Sequence, residues 1–479
     1  MHSKLSDHKF KKGKFISPWT EIISELSREE SWYYGRLPEY IWIALILDYY
    51  GREVGLIKCY EIITKLHQLA PHLITPRLSK ILELDTELQQ HFYDFILNTI
   101  SANVMVPLTA IFTYSKYPSF STAFCIPDSI VDDRIKRISS SLKKASNHQS
   151  FFSTDLRFVV LYFVLLSGKL HMPKETLELI LEYPYLSHDN EQMRMIRPTI
   201  RTCEMMQNVI EPFNENYLSL FWEEVSRMSD CDLVYIEFAD DNPDTQVLEH
   251  FKSVLKYYSE LMAATRPLDN KMLVLLSIAT YSYKRVLELV EHRLTCTISG
   301  RSIMRVLIEN YIMMKYLLQE EANHEDIWTE YQYYGIGQYK LVVERIRESG
   351  KELTDSHVQV EYLDILVNEY KNKEFIDMDT TYFDKKSIRE KAISVGEKEL
   401  FGFYYDYDSA FEHGLWGAIR ESSLIKCNSP AHHYHCVPDI ENQQKLKSVW
   451  TDCVYIMNKT LNILHNVYGC PAFLRVEQK

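Results

Sequence analysis

The amino-acid sequence predicts an all-α protein with an N-terminal helical domain and a C-terminal helical bundle. Three observations predict this class. Gly and Pro are sparse, with 14 and 16 residues in a chain of 479, whereas sheet-rich folds need more turn residues. Apolar residues recur at helical spacing through most of the chain. The 33 tyrosines provide large rings that fill helix seams while their hydroxyls reach polar partners.

Helical segments lie on both sides of an acidic, proline-broken stretch at residues 238–244, which we interpret as a domain boundary. Before it, Pro38 precedes the apolar run 39–47 as a first-turn proline, and Gly51 and Gly55 mark the end of this helix. We therefore predict two domains, residues 1–240 and 246–479, the second an up-and-down bundle. Its predicted helices cover residues 246–264, 271–294, 299–319, 328–349, 359–371, 388–400, 405–425 and 443–467.

Composition excludes several functional classes. A net charge of −13 argues against a basic surface for duplex DNA and leaves a local groove for RNA open. Nine scattered cysteines favour reduced thiols in a cytoplasmic protein. Apolar runs reach only half the length of a membrane span, and no secretory signal begins the chain, so we expect a soluble protein. Phosphate-loop, dinucleotide, zinc-protease and deaminase motifs are absent, which argues against the common nucleotide- and metal-driven enzymes.

One predicted helix, residues 299–319, carries Arg301, Arg305 and Glu309 within one sector of an otherwise apolar surface. Buried charges must be paired or hydrogen-bonded, and Arg305 and Glu309 have the spacing of an intrahelical pair. Two interpretations stay open. The residues form an internal salt bridge that fixes helix register, or Arg305 binds an anion while Glu309 orients it or acts as a base.

A second polar set lies in the predicted helix 405–425, where Tyr405, Ser409 and His413 follow one another at four-residue intervals, with Arg420 two turns further along. His413 has the chemistry of a general acid or base near neutral pH. Ser409 lacks the Gly-x-Ser-x-Gly context of a hydrolase nucleophile. The alternative is a histidine that is hydrogen-bonded inside a helical seam.

The segment from Cys427 to Cys436 holds five possible soft-metal ligands, two cysteines and three histidines, within ten residues. Tetrahedral zinc uses such ligands, but the spacing matches no standard zinc finger. We therefore expect a surface or substrate-facing loop and no metal or cofactor, with zinc binding as the alternative.

The C-terminal half resembles a bacterial family of helical domains of unknown function. The Arg305-x3-Glu309 helix and the later Tyr405-x3-Ser409-x3-His413 helix carry the resemblance, which covers about residues 246–439. It implies that these polar residues lie together in space. More remotely, the chain resembles the HEPN ribonucleases, common in toxin and phage-defence systems, whose signature places His four to six residues after Arg. Arg420 instead follows His413, so Arg and His would come from different helices here.

We therefore expect a metal-independent HEPN-like ribonuclease, a toxin or effector of phage defence, that acts on RNA. In this hypothesis His413 is the general acid or base and Arg305 stabilises the phosphorane. Supporting roles fall to Glu309 and Ser409 in the catalytic set and to Arg301, Tyr405 and Arg420 in substrate binding. The alternative is a non-catalytic sensor or adaptor that binds a small ligand, or a protein partner through its N-terminal domain. Homo-oligomerisation is expected by analogy alone.

Overall fold

Helices dominate the computed structural model, which confirms the predicted all-α class. The structure describes residues 5–11, 13–16, 31–127, 129–168, 173–207, 213–239, 242–350, 356–369, 382–432, 435–442 and 444–475. Among these residues, no helix combines the length and the apolar character that a membrane span requires.

Contacts divide the chain into two units, and each unit is built from two separate segments. The first unit comprises Met1–Val234 and Lys426–Cys436, and the second comprises Tyr235–Ile425 and Val437–Lys479. The sequence analysis had divided the chain at one place only, between residues 240 and 246. The structure instead gives the first unit a short second segment, which the sequence analysis had placed in the C-terminal bundle.

The first unit is a set of helices around one apolar core. Its strands are β1 Lys9–Lys11, β2 Lys14–Ile16 and β3 Leu233–Val234. Its helices are α1 Leu37–Leu69, α2 Leu78–Leu82, α3 Thr86–Thr99, α4 Pro118–Phe124, α5 Val131–Ala145, α6 Phe151–Leu166, α7 Lys174–Glu182, α8 Met193–Gln207 and α9 Glu215–Arg227.

The helix α1 is the core element of this unit, because every residue of 37–47 is buried and α6 packs along it. Pro38 lies in its first turn, as predicted. The predicted end near Gly51 coincides with an interruption of this helix. Gly51 adopts φ +72°, which kinks the helix, and the chain then continues as helix to Leu69. Glycine takes up such a backbone at low cost, so the first helical stretch ends at Gly51 as predicted, and the second stretch, which the sequence analysis had not expected, follows it directly.

Buried carboxylates tie the helices of the first unit together. Glu204 on α8 is fully buried and lies 3.4 Å from both Arg36 and Arg157. Asp155 on α6 accepts hydrogen bonds from Arg52 at 3.0 Å and from Tyr183 at 2.8 Å. Because a buried charge must be compensated, these ionic contacts fix how α1, α6 and α8 pack.

The second unit is a helical bundle with one central helix. Its helices are α10 Thr245–Thr265, α11 Asn270–Glu291, α12 Ile298–Glu320, α13 Ile327–Ser349, α14 Val360–Asn368, α15 Ile388–Ser394, α16 Lys398–Leu400, α17 Asp406–Glu412, α18 Trp416–Ser422 and α19 Trp450–Tyr468. Two short strands, β4 Leu424–Cys427 and β5 Cys436–Pro438, lie where the chain passes between the units.

The helix α12 contacts α11, α15, α17 and α19, and most of its apolar side chains are buried. Thr297 caps its N-terminus by accepting a hydrogen bond from the Gly300 amide at 3.2 Å. Gly300 is required there, because an added Cβ would lie 2.3 Å from the Leu294 carbonyl oxygen. The charged residues of α12 are therefore carried by a rigid, central element.

The predicted helix 405–425 is not continuous. A π-helical turn, Phe401–Tyr405, leads into α17, and α17 ends at Glu412 with His413 as its cap residue. Gly414 then adopts φ +56°, which separates α17 from α18. The last residues of the predicted helix form β4, because its end pairs with β3: Leu233 is opposite Cys427 and Val234 is opposite Lys426.

Candidate functional site

Two pairs of polar residues face each other where α12 contacts the π-helical turn and α17. Arg305 and Glu309 are four residues apart on α12, and Tyr405 and Ser409 have the same spacing on the facing elements. Residues at this spacing share one helix face. Both members of each pair therefore lie on the side of their element that takes part in this contact.

The Arg305 guanidinium contacts the other three side chains of these pairs. Its Nε donates to Ser409 Oγ at 3.1 Å, and its Nη2 donates to Tyr405 Oη at 2.6 Å. Its Nη1 lies 3.4 Å from Glu309 Oε2, and the Tyr405 hydroxyl donates to the same oxygen at 3.4 Å. We call Arg305, Glu309, Tyr405 and Ser409 the Arg305 cluster.

The electrostatics of the cluster keep Tyr405 protonated. Burial and the Glu309 carboxylate raise the pKa of Tyr405 to about 12, against the opposing effect of Arg305. The Glu309 side chain is 40% exposed and that of Arg305 is 21% exposed. A partly exposed ion pair contributes about 1 kcal/mol or less to stability. The cluster therefore has a solvent-accessible carboxylate whose position is set by an arginine and a tyrosine.

Glu309 also lines a cavity of about 520 Å³ in the second unit. Five of the twelve residues that line the cavity are aromatic. The rings are those of Tyr331, Tyr334, Tyr339, Tyr382 and Phe383. The centroids of Tyr331 and Tyr334 lie 5.4 and 5.6 Å from that of Phe383, with the rings steeply inclined to each other. The volume and the apolar lining are typical of a small-molecule site.

Lys391 is the buried cation of the cavity wall. Its Nζ donates to the Phe383 carbonyl at 2.5 Å and also to the Lys386 carbonyl. Burial lowers the pKa of Lys391, and its ammonium lies 5.2 Å from the centroid of the Tyr316 ring. The sequence analysis gave Lys391 no role.

The remaining predicted residues are not among the hydrogen-bonding or ionic partners of the Arg305 guanidinium in the described part of the chain. His413 is exposed at the end of α17, one turn beyond Ser409, whose carbonyl accepts from the His413 amide at 3.1 Å. Within the described part of the chain, no hydrogen bond or ion pair joins Arg305 to His413. Arg420 donates to the carbonyl of Leu424, the first residue of β4, at 3.3 Å.

Arg301 belongs to a second, buried polar group. Its Nη2 donates to the Lys447 carbonyl at 2.5 Å, and its guanidinium carbon lies 5.8 Å from the Tyr407 ring centroid. The neighbouring Asp408 is buried, and this burial raises its pKa to about 7 despite the opposing charge of Arg301. Asp408 directly precedes Ser409 in the sequence, and it is near enough to Arg301 for that charge to lower its pKa. The sequence analysis had given Asp408 no role.

Among the described residues, one group has the ligands and spacing for a metal ion, and it lies in the first unit: Cys231, Cys427, His432 and His435. Three of these residues come from the loop that the sequence analysis had singled out. Cys231 comes from about 200 residues earlier and had been given no role. The loop residues His433 and Tyr434 lie outside the described residues.

Comparison with known proteins adds one relationship. A family model described as a family of unknown function (DUF5677) matches residues 272–432. This match covers about a third of the chain, including the whole Arg305 cluster, and fits a helical domain of unknown function. No curated protein and no solved structure matches the chain.

Proposed function

We propose that the second unit is a small-ligand-binding module, the sensor alternative of the sequence analysis, and that its site is the cavity beside Glu309. The observation that carries the proposal is the continuity of the Arg305 cluster with this cavity through a single carboxylate. Arg305 already has hydrogen-bonding partners in Ser409 and Tyr405 and an ionic partner in Glu309. It is better placed to orient Glu309 than to receive an anion.

The cavity chemistry favours a ligand with a flat heterocycle that carries a hydrogen-bond donor. Aromatic walls bind such rings by stacking. Both contacts from Arg305 and Tyr405 go to Oε2 of Glu309. Within the described residues no hydrogen bond reaches Oε1, which leaves this oxygen to accept from a ligand N–H. The carboxylate would select the ligand's orientation, and the rings would supply most of the binding energy.

Calorimetric titration of the full chain with a panel of nucleobases and nucleosides tests this proposal. We expect saturable binding by the wild type and about tenfold or greater weakening in Glu309→Gln, because a hydrogen bond to a charged group contributes about 1.5–3 kcal/mol. Glu325→Gln, an exposed carboxylate of the same unit, is the matched control. Equal affinity of both variants, or a panel in which nothing binds, would refute the proposal.

A ribonuclease of HEPN-like type is the second candidate function, and the exposure of His413 favours it. An exposed imidazole one turn from Ser409 has access to an RNA 2′-hydroxyl. His413 would remove that proton while Arg305 stabilised the charge that develops on the phosphorane. The chain would then be a toxin or effector of phage defence. A protein partner of the N-terminal unit and a homo-oligomer remain predictions.

RNA integrity after induced expression, with and without phage infection, separates the two functions. A ribonuclease should cleave RNA as the wild type and lose about 10²–10⁴-fold in rate as His413→Ala, as expected for an acid–base residue. His357→Ala, another exposed histidine of the second unit, is the control. Intact RNA with the wild type under every condition excludes the ribonuclease and leaves the ligand site unaffected.

A further inference from the structure

Four soft-metal ligands converge in the first unit, although the sequence separates one of them from the others. Cys231 lies just before β3, whereas Cys427, His432 and His435 lie at and after the end of β4. Their ligand atoms all lie within 4.8 Å of one another. Cys427 and His432 are buried, and Cys231 is exposed.

Backbone hydrogen bonds hold these ligands in place independently of any metal. The pairing of β3 with β4 sets Leu233 opposite Cys427, and the Asn428 amide donates to the Asp232 carbonyl at 2.7 Å. Within the loop, the Cys427 amide donates to the His435 carbonyl at 3.2 Å. Main-chain contacts thus bring all four ligands together.

The distances between ligand atoms match a single tetrahedral ion. With Zn–S of about 2.3 Å and Zn–N of about 2.0–2.1 Å, a sulfur and a nitrogen of one tetrahedron lie about 3.6 Å apart. His432 Nδ1 lies 3.1 Å from Cys427 Sγ and 3.7 Å from Cys231 Sγ, and His435 Nδ1 lies 3.6 Å from Cys231 Sγ. A two-iron cluster, in which cysteines and histidines bind different irons, needs a wider arrangement than this.

The tautomer of His432 is also set for metal binding. Its Nε2 lies 3.1 Å from the Ser229 carbonyl oxygen, which can only accept, so Nε2 carries the proton. Nδ1, the atom nearest the two sulfurs, then presents a lone pair. Metal-ligating histidines almost always donate their other ring N–H to a carbonyl or carboxylate in this way.

We propose that Cys231, Cys427, His432 and His435 bind one zinc ion. Two thiolates and two imidazoles form a soft, tetrahedral set that selects zinc over calcium or magnesium. Four protein ligands leave no position for water, so the site is structural and not catalytic. The ion would bind the end of the first segment of this unit to its second segment, Lys426–Cys436.

The metal content of the full-length protein, purified without chelator under reducing conditions, tests this assignment. We expect about one zinc per chain in the wild type and a fall to background in Cys231→Ser. Cys231 is exposed, so a serine in its place buries no unpaired hydroxyl, and circular dichroism checks the helix content of the variant. Cys436→Ser is the matched control, because Cys436 directly follows His435 at the start of β5 but lies outside the ligand group; it should keep its zinc.

Cobalt substitution gives a second readout that does not depend on stability. Zinc-depleted wild type should take up Co(II) and show tetrahedral d–d bands with a sulfur-to-cobalt charge-transfer band, which weakens in Cys231→Ser but not in Cys436→Ser. Three results would overturn the proposal. They are wild type that takes up neither zinc nor cobalt, equal metal loss in both variants, and a Cys231–Cys427 disulfide in the reduced preparation.

Discussion

Asp408→Asn should stabilise the protein above neutral pH. Asp408 is almost completely buried in the second unit, and burial raises the pKa of its carboxyl from 3.8 to about 7. The charge of Arg301 opposes this rise, and the Asp452 carboxylate, whose own pKa is raised by burial, adds to it. The folded protein therefore holds the Asp408 proton more tightly than the unfolded chain does.

The size and sign of the effect follow from this difference. A carboxyl pKa raised from 3.8 to about 7 corresponds to about 4 kcal/mol of folding free energy. Because the folded-state pKa is the higher one, this contribution is complete below about pH 4 and is lost as the pH rises to 7. Asparagine has the shape of the protonated side chain and cannot ionise, so it avoids the loss.

Calorimetric melting curves of wild type and Asp408→Asn at pH 4 and pH 8 measure the effect. We expect similar Tm values at pH 4 and a Tm that is about 8–16 °C higher for the variant at pH 8, since 1 kcal/mol shifts a unit of this size by about 2–4 °C. Asp406→Asn, an exposed residue of the same helix, is the control. A variant that is less stable than the wild type at pH 8 would show instead that Arg301 holds Asp408 ionised.

Two further substitutions, each compared with a second one in the same unit, test the packing within the units. Glu204→Gln should destabilise the first unit by about 3–5 kcal/mol in thermal melting, because it leaves two buried guanidiniums without their shared carboxylate. Glu178→Gln, which removes the exposed ion pair with Lys174 in the same unit, is the control and should cost less than about 1 kcal/mol. Equal losses in the two variants would contradict this prediction. Gly300→Ala should lower the Tm and the helix content, because its Cβ would overlap a carbonyl oxygen, whereas Gly335→Ala, with open space in mid-helix, should gain about 0.5–1 kcal/mol.

The all-α class could be predicted because it depends on local signals, namely helical periodicity and few turn residues. The central helix was expected over residues 299–319 and is observed as Ile298–Glu320. The predicted helix 405–425 was wrong beyond Glu412, where Gly414 takes a left-handed backbone. The β4 strand could not be predicted, since it exists only because Leu233 and Val234, far away in sequence, pair with it.

The candidate sites likewise include some residues that the sequence could predict and others that it could not. The four-residue spacing within each helix pointed to Arg305 with Glu309 and to Tyr405 with Ser409, and the structure brings these residues together. The aromatic cavity could not be predicted, because its wall combines α12 with residues 331–339 and 382–391. Cys231 could not be linked to the later histidines, because only long-range backbone pairing joins them.

The interleaved segments of the two units have a consequence for biosynthesis. The first unit lacks its second segment until residue 436 has been made, about 200 residues after the first segment ends. At about 5–20 residues per second, the growing chain waits about 10–40 s for this segment. The second unit in turn needs α19, which is made later still. The order of translation therefore cannot complete one unit before much of the other exists, and no single cut in the chain yields either unit whole.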